Sequence, residues 1–315
     1  MTARIAVLGN INIDFVMRAE RMPRPGETLM GLDLKLVPGG KCANQAVTAA
    51  RIGADVTVIG RLGEDIFGPQ LKENLEREGI NTDAITSDPE THTGSAFIAL
   101  SPSGENSILS CMGANLEVSP EQVEGASEAI EAADMLLVQL GVPLEAVLRA
   151  MEIADTAGTD VLFDPTPVRG DLDRMWEHAT VACPNETEAE VIIGEPATSL
   201  EDAARAAEWF AEHGVDIPII KLGARGAVVL GDDGARLVRG YSVDVVDTTG
   251  AGDAFAGALG TRLAEGAPVE EAIAFANAAG AMAASRFGAQ PSLPTRDEVE
   301  ALMAAQQDDD RVVEI

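Results

Sequence analysis

The sequence predicts an α/β fold, with a mainly parallel central sheet, helices on both faces and a small antiparallel β lid. Two observations predict it. Short β-branched apolar runs alternate with helical stretches along most of the chain, which is the signature of repeated βα units with buried strands. Two other stretches, 27–37 and 92–112, alternate apolar and polar residues with a period of two, as in a sheet with one apolar face.

The first strand covers 4–9. Beyond it Ile11, Ile13 and Phe15 alternate with Asn12 and Asp14, two polar side chains that either bind a polar ligand or hold an Asx turn. In 27–37, Met30, Leu32, Leu34 and Leu36 alternate with Gly31, Asp33 and Lys35. The expected partners are a strand at 94–100, a turn at Ser101-Pro102-Ser103-Gly104 and a returning strand at 107–111, so the lid is placed at about 16–37 and 92–112. A helix at 43–52 follows Gly39-Gly40, then a strand at 56–59 and a helix at 67–78. Helix 119–132, strand 135–139, helix 144–157, strand 161–163 and an extended segment at 181–183 continue the alternation. Asn185-Glu186-Thr187-Glu188 opens a helix, helix 200–213 follows, and 217–222 and 227–230 are strands. Val243, Val245 and Val246 read as a strand leading into a glycine turn, and helices at 251–265, 269–286 and 295–306 close the chain. The acidic end Asp308-Asp309-Asp310 reads as frayed, and residues 1–315 read as one domain without an internal repeat.

Hydrophobic residues make up 46% of the 315 and aromatic residues 3%, so the core must be built from Ala, Val, Ile and Leu. With 52 acidic against 22 basic residues the net charge is −30, which argues against nucleic acid or an anionic membrane as partner. The acid is spread along the chain as a solvated coat and suggests a salt-adapted, halophilic cytoplasm. Cys42, Cys111 and Cys183 are far apart, as are His92, His178 and His213, so no disulfide framework, zinc site or triad is indicated. No apolar run reaches spanning length and residues 1–5 enter a strand directly, so the expectation is a soluble cytoplasmic protein without a signal peptide.

The chemistry concentrates in Asp247-Thr248-Thr249-Gly250-Ala251-Gly252-Asp253-Ala254-Phe255. A strand, turn and helix start would leave backbone N–H groups at Gly250, Ala251 and Gly252 pointing at an anion. Asp253, in the first helical turn, is expected to stay ionised there and to accept a proton from a hydroxyl. A glycine-rich turn with an acidic cap is the competing reading.

This stretch resembles the C-terminal signature of the ribokinase, or pfkB-type, carbohydrate kinases. Pro38-Gly39-Gly40-Lys41-Cys42-Ala43-Asn44-Gln45-Ala46 resembles their N-terminal signature, and the similarity runs from Val7-Leu8-Gly9 to Gly288-Ala289-Gln290-Pro291-Ser292. The resemblance implies a ribokinase-like three-layer α/β sandwich and ATP-dependent phosphorylation of a small sugar. It makes Asp253 the catalytic base and Gly250, Ala251 and Gly252 the anion hole, with Asn12, Asp14, Gly40, Lys41 and Asn44 lining the sugar. Lys221, Gly223, Gly226 and Asn277 would border the nucleotide. Asn185 and Glu188 would orient hydrated Mg2+, although Asn-x-x-Glu is also a capping box. A monovalent cation, K+, would sit among Asp247, Thr249, Ala283, Arg286, Gly288 and Ser292. In ribokinases two lids often pair, which implies a homodimer.

The chain departs from that pattern in three places. Gln139-Leu140-Gly141 stands where ribokinases commonly carry Gln-Leu-Glu, whose glutamate contacts the sugar, and Cys42 replaces a glycine and would fill space beside the sugar loop. Asp164-Pro165-Thr166-Pro167-Val168-Arg169 is more similar to the pattern of fructokinases and 2-keto-3-deoxygluconate kinases. Ribose, fructose, a keto-deoxy sugar and a nucleoside therefore all stand as acceptors. Lys41 is not part of a P-loop, because Lys35 and Cys42 break the required spacing, and Gly9-Asn10-Ile11-Asn12-Ile13-Asp14 lacks the dinucleotide fingerprint of an oxidoreductase. A non-catalytic sugar-binding regulator remains as the reading of another class.

Overall fold

The computed structural model describes residues 2–100, 106–231, 233–307 and 310–315. Ten strands form one sheet. In chain order the elements are β1 (Arg4–Leu8), β2 (Asn12–Arg18), β3 (Asp33–Gly39), α1 (Lys41–Ile52), β4 (Asp55–Gly63), α2 (Gly68–Arg77), β5 (Ile85–Asp88), β6 (Gly94–Leu100) and β7 (Asn106–Cys111). Then come α3 (Pro120–Gly125), α4 (Ser127–Glu131), β8 (Met135–Gln139), α5 (Leu144–Ala157), β9 (Asp160–Asp164), β10 (Val181–Ala182), α6 (Glu186–Ile193), α7 (Leu200–Glu212), β11 (Ile217–Lys221), β12 (Gly226–Gly231) and β13 (Gly234–Arg239). The chain closes with α8 (Ala251–Ala264), α9 (Val269–Ala284), α10 (Arg296–Ala305) and β14 (Val312–Glu314).

The large sheet has the order β14-β13-β12-β11-β10-β9-β8-β1-β4-β5. It is parallel from β11 to β5 and antiparallel from β11 to β14. Side chains alternate across it: Ile5 and Val7 join the core under α1, α8 and α9, while Ala6 and Leu8 join the core under α5 and α7. Small residues let the helices close up. A methyl group at Gly257 would stand 2.5 Å from the carbonyl oxygen of Gln45, so α8 and α1 meet nearly backbone to backbone. That contact brings Asn44 on α1 to Asp253 on α8.

The small sheet has the order β3-β2-β6-β7, with the outer pairs antiparallel and β2–β6 parallel. It begins at Asn12 rather than 16, so Asn12 and Asp14 travel on the lid itself. The strand expected at 27–37 is confined to Asp33–Gly39, because Glu27 turns back to Arg21 and Arg24 instead of pairing. The expected turn at 101–104 lies outside the described residues, as do Asp308 and Asp309.

Two further expectations change. Val243, Val245 and Val246 form no strand: Val245 and Val246 are exposed, and the amides of Val246 and Asp247 bond to the carbonyl of Ala284. Helix 119–132 breaks at Ala126 into α3 and α4. Beyond the acidic run, Val312–Glu314 forms an unexpected strand that pairs with β13 and covers its edge. No helix among the described residues is long and apolar enough to cross a membrane.

Candidate active site

The parallel strands end along one edge, and their last residues face a common crevice: Gln139 of β8, Asp164 of β9 and Lys221 of β11. α1 and α8 start at the same edge. Gly40 caps α1 with φ 92°, and Gly250 caps α8 with φ 80°, conformations that only glycine adopts without strain. At the start of α8 the amide of Ala251 turns back to Thr248 and that of Ala254 bonds to Gly250, while the amides of Gly250, Gly252 and Asp253 have no protein acceptor among the described residues. The open donors at the expected anion hole are therefore Gly250, Gly252 and Asp253 rather than Ala251.

Asp253 is buried, and its Oδ2 accepts from Asn44 Nδ2 at 2.8 Å. Burial, which outweighs the opposing charge of Lys41, the Asn44 hydrogen bond and the charge of Lys221, pushes the carboxyl above the usual aspartate range, so the helix start is not the dominant influence on it. A raised carboxyl holds a proton more tightly, which strengthens it as a base. Asp14 is raised to about 7 by burial and by the charge of Asp253, with Lys41 opposing. Asn44 Oδ1 is buried with no hydrogen-bond partner among the described residues, an acceptor facing a donor the protein does not supply.

Asn12 Oδ1 accepts from Asn115 Nδ2 at 2.9 Å, and Asn115 Oδ1 accepts from the amide of Ile11. This second bond fixes Asn12 with its NH2 free to donate. A cleft under the lid is lined by Asp14, Val16, Val37 and Ile98 from the small sheet and by Asp247, Thr249, Phe287 and Gly288 from the body. Cys42 occupies space against Gly9, where a methyl group would stand 2.8 Å from its Cβ. Its sulfur turns inward to the carbonyl of Val7, and it is fully buried.

On the opposite side of Asp253 a buried chain runs across the strand ends. Gln139 Nε2 donates to Gln45 Oε1 at 2.6 Å, Gln45 Nε2 donates to Asp164 Oδ2 at 3.0 Å, and Lys221 Nζ donates to Asp164 Oδ1 at 2.8 Å. Burial opposes the charge on Lys221, but Asp164 more than offsets it and the ammonium is held above the ordinary lysine range. Asn185 lies alongside, bridged to Lys221 as an isolated strand pair, and forms the full capping box with Glu188. Gly223 and Gly226 shape the turn from β11 to β12. Asn277 is buried, with its NH2 donating to the carbonyl of Val238.

Of the residues assigned to a monovalent cation, Asp247, Thr249 and Gly288 come together directly. Asp247 Oδ1 accepts from the amide and hydroxyl of Thr249, and Oδ2 accepts from the amide of Gly288. Ser292 donates to the carbonyl of Ala289 in the same turn, Ala283 is buried on α9, and Arg286 turns away to Glu298. Among the described residues no cluster of three His, Cys, Asp or Glu side chains could by itself hold a metal ion.

A buried carboxyl beside open helix amides, within electrostatic reach of Asp14 on the lid, suits phosphoryl transfer to a hydroxyl. Residues 2–296 match the family described as pfkB family carbohydrate kinase. The chain belongs to that family. The kinase is 40% identical to the ribokinase of Haemophilus influenzae over 95% of this chain and 97% of that one, and 35% identical to the deoxyribokinase of Salmonella typhi over 93% and 96%. It superposes on the structure of Arabidopsis thaliana ribokinase complexed with ribose and ATP with a TM-score of 0.90, at 31% identity over 96% of this chain and 99% of the other. It is a ribokinase-like enzyme. The Gly-Ala-Gly-Asp and Gly-Gly-Lys stretches were legible as sequence, whereas Gln45, Asn115 and the pairing of Asp164 with Lys221 emerge only from contacts.

Proposed function

We propose that the kinase transfers the γ-phosphoryl group of ATP to the primary hydroxyl of ribose. The observation that carries this reading is the buried Asp253 carboxyl, held by Asn44, next to the open amides at the start of α8. Asp253 takes the hydroxyl proton, the sugar oxygen bonds to the γ-phosphorus, and the bond from that phosphorus to the departing ADP oxygen breaks. The amides of Gly252 and Asp253 meet the charge that spreads over the migrating group. Asp14, Asn12, Lys41 and Asn44 hold the sugar, and the lid excludes water. Ribokinase relatives and the neighbour bound to ribose and ATP support this assignment.

Asn185 and Glu188, whose remaining lone pairs stay open beside their capping bonds, would hold Mg2+ through water near Lys221, where the ion would neutralise nucleotide phosphate charge. Among the described residues no acidic cluster could bind it alone, so in this reading the ion comes with the nucleotide. Asp247 is read as the K+ residue, since among the described residues no cationic side chain pairs with its carboxylate, which is held in the loop by the amides of Thr249 and Gly288. Gly223, Gly226 and Asn277 border the nucleotide. The outer face of the lid, with Leu34, Leu36, Phe97 and Leu109 exposed, is read as the contact with a second copy. The charge of −30 is read as adaptation to a salty cytoplasm.

A second reading, 2-deoxyribose, is favoured by Gly141. A methyl group there would stand 2.5 Å from Asn10 Oδ1, so Asn10 fills the room that a side chain at 141 needs. One hydrogen-bonding group fewer suits a sugar with one hydroxyl fewer. A coupled ADP-release assay over ribose, 2-deoxyribose, fructose, 2-keto-3-deoxygluconate and nucleosides, at low salt and in molar potassium chloride, decides. Ribose or deoxyribose should give the highest kcat/KM, and silence on every acceptor would remove the kinase reading.

A further inference from the structure

A buried ammonium group with one acceptor for its three donors is an incomplete arrangement. Lys221 is such a group. Its side chain is 12% exposed, and Asp164, 1% exposed, is its one hydrogen-bond acceptor among the described residues. The spare donors lie beside the anion hole: a methyl group built on Gly252 would have Lys221 Nζ as its nearest contact, at 3.9 Å. Asp164 is in turn held by Gln45, and Gln45 by Gln139, so the lysine rests on a chain of buried hydrogen bonds anchored in α1 and β8. Gln45 follows Asn44, the residue that holds Asp253, and both ends of the reaction are thereby referenced to one helix.

We propose that Lys221 is a further catalytic residue, donating from Nζ to the phosphoryl group as it leaves ADP, with Asp164, Gln45 and Gln139 as the positioning residues that keep the ammonium at the anion hole. The inference rests on the kinase reading above and extends it from nucleotide binding to the transfer step. Asp164 neutralises the lysine in the resting protein, so the charge is stored in the interior without an exposed cation. When the γ-phosphoryl group enters, the two free donors gain acceptors whose negative charge grows during transfer, and stabilisation is greatest in the transition state.

The test compares Lys221→Met, Lys221→Arg and the paired variant Lys221→Met with Asp164→Asn. Lys221→Met alone strands a buried carboxylate and can unfold, whereas the pair removes both charges together. The paired variant should melt close to wild type, keep the sugar KM within about twofold, and lose kcat by about 100-fold or more. It should bind ADP normally yet lose most of the extra affinity that wild type shows for ADP with aluminium fluoride and sugar, a mimic of the migrating group. Lys221→Arg, which keeps the charge, should recover part of the rate. A paired variant with kcat within about threefold of wild type, or with equal losses of affinity for ADP and for the fluoride complex, overturns the proposal. Absence of turnover by the wild-type protein on every sugar would instead remove the underlying kinase reading.

Discussion

Asp14 is a carboxyl group that folding makes harder to ionise. Burial first, and then the nearby charge of Asp253, raise it to about 7, with Lys41 pulling the other way. Against an ordinary aspartate near 3.9 the gap is about 3 units, or about 4 kcal/mol. The folded protein binds this proton more tightly than the unfolded chain, so the contribution is fully present below about pH 4 and is lost as pH rises to about 7. Replacing Asp14 by Asn removes the titration. The variant should gain on wild type in thermal melts as pH rises from 5 to 8, and a difference between the two that does not vary with pH would count against this account. At this scale much of the site was legible, because Asn12 and Asp14 interrupt an apolar alternation and Asp253 follows two glycines. Gln45 and Asn115 were not, since their meaning lies in partners 119 and 104 positions away.

The lid shows what periodicity can and cannot tell. Its two-residue alternation was readable, but which face would be covered was not. Across the sheet Leu36, Phe15, Phe97 and Leu109 stand in one row on the outer face, where Phe15 and Phe97 stack at 4.8 Å. Val16, Val37, Ala96 and Ile98 form the inner face against Phe287. If a second copy covers the outer row, Phe97→Asp should shift the mass found by light scattering from two chains to one while leaving the melting temperature of the monomer near that of wild type. A wild-type protein already monomeric at high concentration would dismiss the contact. Val243, Val245 and Val246 mislead because β propensity reports fit to a half-buried pleated surface, and these residues have no strand to pair with. β14 escapes the sequence reading because three residues after an acidic run carry too short a pattern.

The molecule as a whole follows from the order of its strands. β1 lies between β4 and β8, and the crevice forms outside the carboxyl ends where the connections diverge to opposite sides. The alternation of strand and helix predicted the mainly parallel sheet with helices on both faces, not the strand order or the crevice. It could not predict how α1 and α8 meet, because that depends on small residues at Gly257 and its neighbours rather than on any period. Sparse basic residues serve as internal clamps: Arg51 joins Glu78 to the carbonyls of Gln290 and Leu293, tying α1 and α2 to the loop beside Asp247. The fold thus delivers a buried carboxyl, open helix amides and the polar residues of the lid to one place. Replacing Asp253 by Asn and measuring turnover together with nucleotide affinity tests that convergence most directly. The account predicts a fall in kcat of several orders of magnitude with ADP affinity nearly unchanged, and a variant that still turns over within tenfold of wild type would contradict it.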